Sequence, residues 1–131
     1  MRKYSLLYIA FGFVIILGAL HFIADAFYLY WTLWWFDNVM HFLGGLSLGF
    51  LSLYIFYESD FFLGKIPFSR AVIISLVFVM IFGGAWEVFE YVNGLTQSTE
   101  KYSLDVVHDL FSDVLGAILA PLIAKRFLKF S

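Results

Sequence analysis

The sequence predicts an all-α integral membrane protein: a four-helix bundle with both termini cytoplasmic and an aromatic interfacial segment between helices 1 and 2. Three observations predict it. Of 131 residues, 63% are hydrophobic and only 14% charged, whereas a soluble domain is nearer half apolar and a quarter charged. A chain this short cannot hide that excess in a core. Four apolar runs each reach the ~20 residues that cross a bilayer as a helix. Threading them through a membrane places seven of the eight basic residues on one side.

The runs are expected as helices over about 4–25, 38–57, 71–92 and 103–124, a single transmembrane domain spanning residues 1–131. The first follows Arg2 and Lys3, and Ala24-Asp25-Ala26 imitates a cleavage site. The run exceeds the ~7–15 apolar residues of a signal peptide, so it reads as a retained helix. Between runs one and two, Phe27, Tyr28, Tyr30, Trp31, Trp34, Trp35 and Phe36 suit the membrane–water boundary. Glu58 to Arg70 is a charged loop with Gly64 and Pro67, and Asn93 to Ser103 is polar. Pro121 falls near the inner end of the last helix. There is no cysteine, hence neither a disulfide nor a thiolate metal site.

Orientation follows from the bases. Arg2, Lys3, Lys65, Arg70, Lys125, Arg126 and Lys129 share the side of the termini, and only Lys101 lies opposite. The basic side is cytoplasmic, which makes this a multi-pass protein of the cell membrane. With Glu58 and Asp60 the inner side carries +5; Lys101 and the other eight acids give the outer side −7.

The polar residues inside the runs are spaced by three or four: His21 and Asp25, Asp37 and His41, Glu87 and Glu90, and Asp105, Asp109 and Asp113. Such pairs share a helix face. Every run therefore carries one polar stripe toward its outer end, and the direction of travel sets His21, His41, Glu87 and Asp109 at one depth. Gly18, Gly44, Gly45, Gly83 and Gly116 fall near the same faces, where small residues let membrane helices approach closely. Gly45-x3-Gly49 reads as internal packing.

A carboxylate at the bilayer centre costs roughly 2.5–3.5 kcal/mol. No arginine or lysine lies in the outer half of any run to offset several of them. Shared protons, water or a bound cation remain, and a divalent ion neutralises the most charge. Imidazole and carboxylates from facing helices are how helical bundles build metal centres. His41, Glu87, Asp109, Asp37 and His21 are the expected ligands of Zn, Mn, Fe or Mg, with Glu90 and Asp113 as the catalytic carboxylates. Ser112 shares their face without a base that would make it a nucleophile. Asp25 and Asp105 also suit solvated helix ends, Glu100 a loop, and the tryptophans a membrane belt.

Three uses are open. The first is a metal-dependent enzyme acting on a lipid or envelope substrate. The second is a cation or proton transporter, which with so few helices requires a homo-oligomer. The third is a non-catalytic protein that binds lipid and uses the cluster as structural glue. Membrane lipids are the partners expected in each case, and nothing points to nucleic acid.

The stretch Phe36-Asp37-Asn38-Val39-Met40-His41-Phe42-Leu43-Gly44-Gly45 resembles the Asp-x3-His-Phe signature of VanZ-like and YjdF-like membrane proteins. Trp86-Glu87-Val88-Phe89-Glu90-Tyr91 is similar to their glutamate-bearing third helix. Asp105 through Asp109 and Asp113 to Gly116-Ala117 is similar to their closing pattern. The resemblance covers Phe36 to Ala117 and implies the same architecture and polar residues. It implies no reaction, since the activity of these groups is largely unassigned. VanZ-like members carry an arginine between the last two motifs; here Lys101 is the base in that interval, and the YjdF-like comparison is closer.

Overall fold

A computed structural model describes residues 4–59, 65–95 and 101–131. Arg2, Lys3, Asp60, Gly64 and Glu100 lie outside the described residues. The elements are α1 (Ser5–Phe27), α2 (Leu29–Thr32), α3 (Phe36–Leu53) continued by a π-helical turn (Tyr54–Glu58), α4 (Phe68–Asn93) and α5 (Tyr102–Ala124). Among the described residues there is no strand. Among the described residues four helices are long and apolar enough to cross a membrane: α1, α3 with its π-turn, α4 and α5. A span of 23 residues is about 34 Å long.

Several helix ends have a visible cause. Tyr4, at the N-cap of α1, has a left-handed backbone and supplies no side-chain cap. Glu58 supplies it instead: its two carboxylate oxygens accept the amide hydrogens of Ser5 (3.1 Å) and Leu6 (2.8 Å). The π-turn thus carries an acid from one helix end to the positive end of another. Pro67 is the N-cap of α4, so the helix begins at Phe68, before the Ala71 expected from apolarity alone. Arg70, in its first turn, is exposed. Gly94, at φ +63, closes α4 in the left-handed conformation that glycine adopts without strain.

The helices are not equivalent. The pair α3 and α5 forms the centre, α4 packs against both, and α1 lies chiefly along α3. Glycines make the central contact backbone to backbone. A Cβ at Gly45 would strike the Asp113 carbonyl and stand 2.9 Å from its Cα, and one at Gly116 would strike the Phe42 carbonyl. A Cβ at Gly49 would meet Ala120 at 2.6 Å and Ser75 at 2.9 Å. Around Gly18 and Gly44 there is open space.

The end of the bundle near the termini is largely apolar. Leu6, Ala10, Leu46, Phe50, Leu53, Ala71, Ala120 and Ala124 form its buried cluster. Pro121 sits in this region, inside α5. Lacking an N–H, it leaves the carbonyl four residues back without a helical partner. That carbonyl belongs to Ala117, and the Ser75 hydroxyl of α4 donates to it at 2.7 Å. Ser75→Ala is therefore expected to destabilise the protein by about 1–3 kcal/mol. Reversible unfolding in mixed micelles measures this, and a change near zero would show that the carbonyl finds another donor.

Candidate metal centre

The opposite end of the bundle is polar, and α3, α4 and α5 build it. Asp37 lies in the first turn of α3, where an acid suits the helix dipole. His41 follows one turn deeper. Glu90 occupies the last turn of α4 before Gly94, and Glu87 the turn before it. Asp109 and Asp113 lie on successive turns of α5. His41, Glu87, Asp109 and Asp113 are all buried, Asp109 to 1% exposure.

The imidazole of His41 is the hub. Its Nε2 stands 3.6 Å from Asp109 Oδ2, 3.8 Å from Glu87 Oε1 and 4.0 Å from Asp37 Oδ1. Its Nδ1 stands 3.4 Å from Asp113 Oδ1. The Nε2 distances exceed a direct N–H···O hydrogen bond, at about 2.7–3.2 Å. Donors held about 2.1 Å from a tetrahedral ion lie about 3.4 Å apart. Each of the three carboxylate oxygens therefore stands a few tenths of an ångström farther from Nε2 than a ligand sharing one ion with it would. Two sets, Asp37/His41/Asp109 and His41/Glu87/Glu90, each bring one donor atom per residue within 4.8 Å of the others.

Several carboxylate oxygens here lack a hydrogen-bond partner. Glu87 Oε1, both oxygens of Asp109 and Asp113 Oδ2 are buried without a hydrogen bond, a condition that costs about 1–3 kcal/mol per group and more when charged. Among the described residues the one lysine or arginine at this end is Lys101, exposed at the N-cap of α5. Asp113 differs from the rest in facing Nδ1. A carboxylate there fixes the tautomer and turns the Nε2 lone pair toward the other acids, as in carboxylate–histidine–metal triads. Gly83 makes room for it, since a Cβ at that position would strike Asp113 Oδ2.

The remaining residues expected at the site stand apart. His21 is exposed, its Nδ1 3.0 Å from the Tyr30 hydroxyl, and it belongs to neither donor set. Asp25 is exposed as well. The buried residues of α1 are Leu6, Ala10 and Ala24, and His21 and Asp25 lie about 60° and 100° around the helix from Ala24, the nearest of them in sequence. The site is a product of three spans, not four. His108 is exposed, and the Ser112 hydroxyl donates to the His108 carbonyl at 2.9 Å.

Tyr30 is not distinguishable in sequence from the other aromatics. It sits in α2, half-buried, bonded to His21 and edge-on to Phe36 with ring centroids 5.2 Å apart. Burial, then the charges of Asp37, Glu90 and Asp25, push its phenol up to about 12. It stays a hydroxyl donor beside the acids throughout the physiological range.

Four apolar spans with an acid-and-imidazole cluster buried at one end define a multi-pass membrane protein with a candidate metal centre. The chain matches the family described as Predicted membrane protein (DUF2238) over residues 1–130, and it belongs to that family. No curated protein and no solved structure matches it.

Proposed function

We propose that this protein binds a divalent metal ion through His41, Asp109, Glu87 and Asp37, with Glu90 at the rim, and uses it for chemistry on a membrane-borne substrate. The observation that carries the reading is one imidazole nitrogen ringed by three carboxylate oxygens at 3.6–4.0 Å. Mutual repulsion and desolvation disfavour that arrangement unless something positive sits among the groups. Asp113 orients the ring. Glu90, half-buried at the rim, would serve as a base toward water once an ion is bound.

Chemistry fits better than transport. The cluster lies one to three turns from one end of the bundle. From there to the other end, Leu46, Phe50, Ala120 and their neighbours close the interior with apolar side chains. The buried polar side chains on that route are the hydroxyls of Ser47, Ser52 and Ser75, each donated to a backbone carbonyl, and among the described residues no buried carboxylate or imidazole continues the cluster toward that end. The reading also places the termini in the cytoplasm, because Lys65, Arg70, Lys125, Arg126 and Lys129 share their end. The centre then faces the outer leaflet of the cell membrane. Exposed Trp31, Trp34 and Trp35 would lie at the boundary, next to lipid headgroups.

Calorimetric titration of chelator-stripped protein in micelles tests this. Saturable binding of Mn²⁺ or Zn²⁺ is expected for the natural chain and at least a hundredfold weaker binding for His41→Ala. Equal binding by both, or no binding by either, would overturn the reading.

A further inference from the structure

The bases at the end of the bundle near the termini are gathered by contacts as well as by topology. Beyond α5 the chain turns back. Leu128 and Phe130 pack against the apolar cluster, while Lys125, Arg126, Phe127 and Lys129 are exposed. Phe130 is the anchor: its ring centroid lies 5.1 Å from that of Tyr57 in the π-turn and 5.5 Å from that of Phe68 in α4. The Tyr57 hydroxyl donates to the Lys129 carbonyl, and the Ser131 amide donates to the Ile66 carbonyl at 3.1 Å. Lys125 Nζ stands 3.6 Å from the centre of the Phe68 ring. The tail is thereby fixed beside the start of α4, where Lys65 and Arg70 are exposed as well.

Charge there is unbalanced. Among the described residues Glu58 is the one acidic side chain at this end, and its two oxygens are engaged by the Ser5 and Leu6 amides. The ion pairs of the described residues are those of His41 at the opposite end. A helix C-terminus favours nearby bases, which accounts for Lys125 and Arg126. It does not account for Lys129, carried past the helix on a segment that folds back and is tied down at both Lys129 and Ser131.

Position names the partner. The patch begins where two membrane-length helices stop, Phe68 being the first residue of α4 and Ala124 the last of α5. That is the level of lipid headgroups, where each lysine or arginine adds to the attraction of anionic lipid. Phe127, 50% exposed among the bases, offers an apolar contact that suits an acyl chain and that a soluble anion would not use.

We infer that this patch binds anionic phospholipid, with Lys125, Arg126 and Lys129 of the folded-back tail and Lys65 and Arg70 beside it facing the phosphate, and Phe127 facing the acyl region. The inference is independent of the metal reading, which concerns the other end of the bundle.

Native mass spectrometry of the delipidated, full-length protein tests it, with titration by phosphatidylglycerol or by phosphatidylcholine of the same acyl chains. The first phosphatidylglycerol is expected to bind at least about tenfold more tightly than phosphatidylcholine, since each base contributes about fivefold. Lys125→Gln/Arg126→Gln/Lys129→Gln is expected to abolish the preference. Phe130→Ala keeps every charge but releases the tail from Tyr57 and Phe68, and it is expected to lose most of the preference too. A third arm needs no variant: spin-labelled lipids in vesicles should show the preference of the natural chain falling as salt is raised. Equal binding of the two lipids, or a preference indifferent to salt, would overturn the inference. So would a preference that survives in the triple variant. Full preference in Phe130→Ala would overturn the part given to the docked tail. Displacement of phosphatidylglycerol by equimolar glycerol phosphate would assign the patch to a soluble phosphate ester and overturn its assignment to lipid.

Discussion

In the presence of a chelator, Asp109→Asn is expected to be more stable than the natural protein, and with saturating Mn²⁺ or Zn²⁺ less stable. The opposite signs follow from the burial of this one side chain. Without an ion, Asp109 places a carboxylate with two unpartnered oxygens within 3.6 Å of Nε2, among other acids. Asparagine removes the charge at nearly constant volume and brings an N–H₂ that can donate to Asp37 or Glu87. The gain is about 1–3 kcal/mol, the cost of leaving a buried polar group unsatisfied. With an ion present, the natural protein gains through linkage, by about 2.7 kcal/mol when free ion is a hundredfold above its dissociation constant. The variant forgoes most of that gain. Unfolding midpoints measured with chelator and with metal, for both proteins, give the four numbers needed. A variant destabilised equally in both conditions would mean that Asp109 is structural glue.

The second large effect separates two adjacent glycines. Gly45→Ala is expected to cost about 1–3 kcal/mol, as overpacking of a close contact does. Its new Cβ meets the backbone of Asp113, which cannot rotate away. To relieve it, α3 and α5 must separate, carrying His41 away from Asp109 and Asp113 and weakening metal binding as well. Gly44→Ala meets nothing within 4 Å and exchanges the poorest non-proline helix former for the best. It is expected to be neutral or stabilising by up to about 1 kcal/mol, with binding unchanged. Parallel unfolding and metal titrations of the two variants make the comparison. Equal behaviour would mean that α3 and α5 do not meet backbone to backbone at Gly45.

Much of this centre is legible in the sequence, for a physical reason. A carboxylate inside an apolar run is expensive, so Asp37, Glu87, Asp109 and Asp113 stand out, and their spacing places each with a neighbour on one helix face. Spacing names a face but not the element it meets. His21 and Asp25 have the same four-residue interval as Asp37 and His41, yet α1, whose buried residues are Leu6, Ala10 and Ala24, leaves them outside. The distinct part of Asp113, with Oδ1 facing Nδ1 and Oδ2 in the notch at Gly83, depends on ring orientation that no linear pattern encodes. The Ser75 hydroxyl satisfying the Ala117 carbonyl beneath Pro121 joins residues 42 apart. The Glu58 cap on α1 joins residues more than 50 apart. Both are long-range answers to local backbone needs, and only the needs are visible in sequence.

Anomalous diffraction from crystals grown with zinc examines the cluster most directly. A peak bonded to His41 Nε2 at about 2.0–2.1 Å, with Asp109 and another of the three acids completing its coordination, is the predicted result. Crystals with no peak there, and with Nε2 contracted onto a carboxylate at about 3 Å, would contradict it.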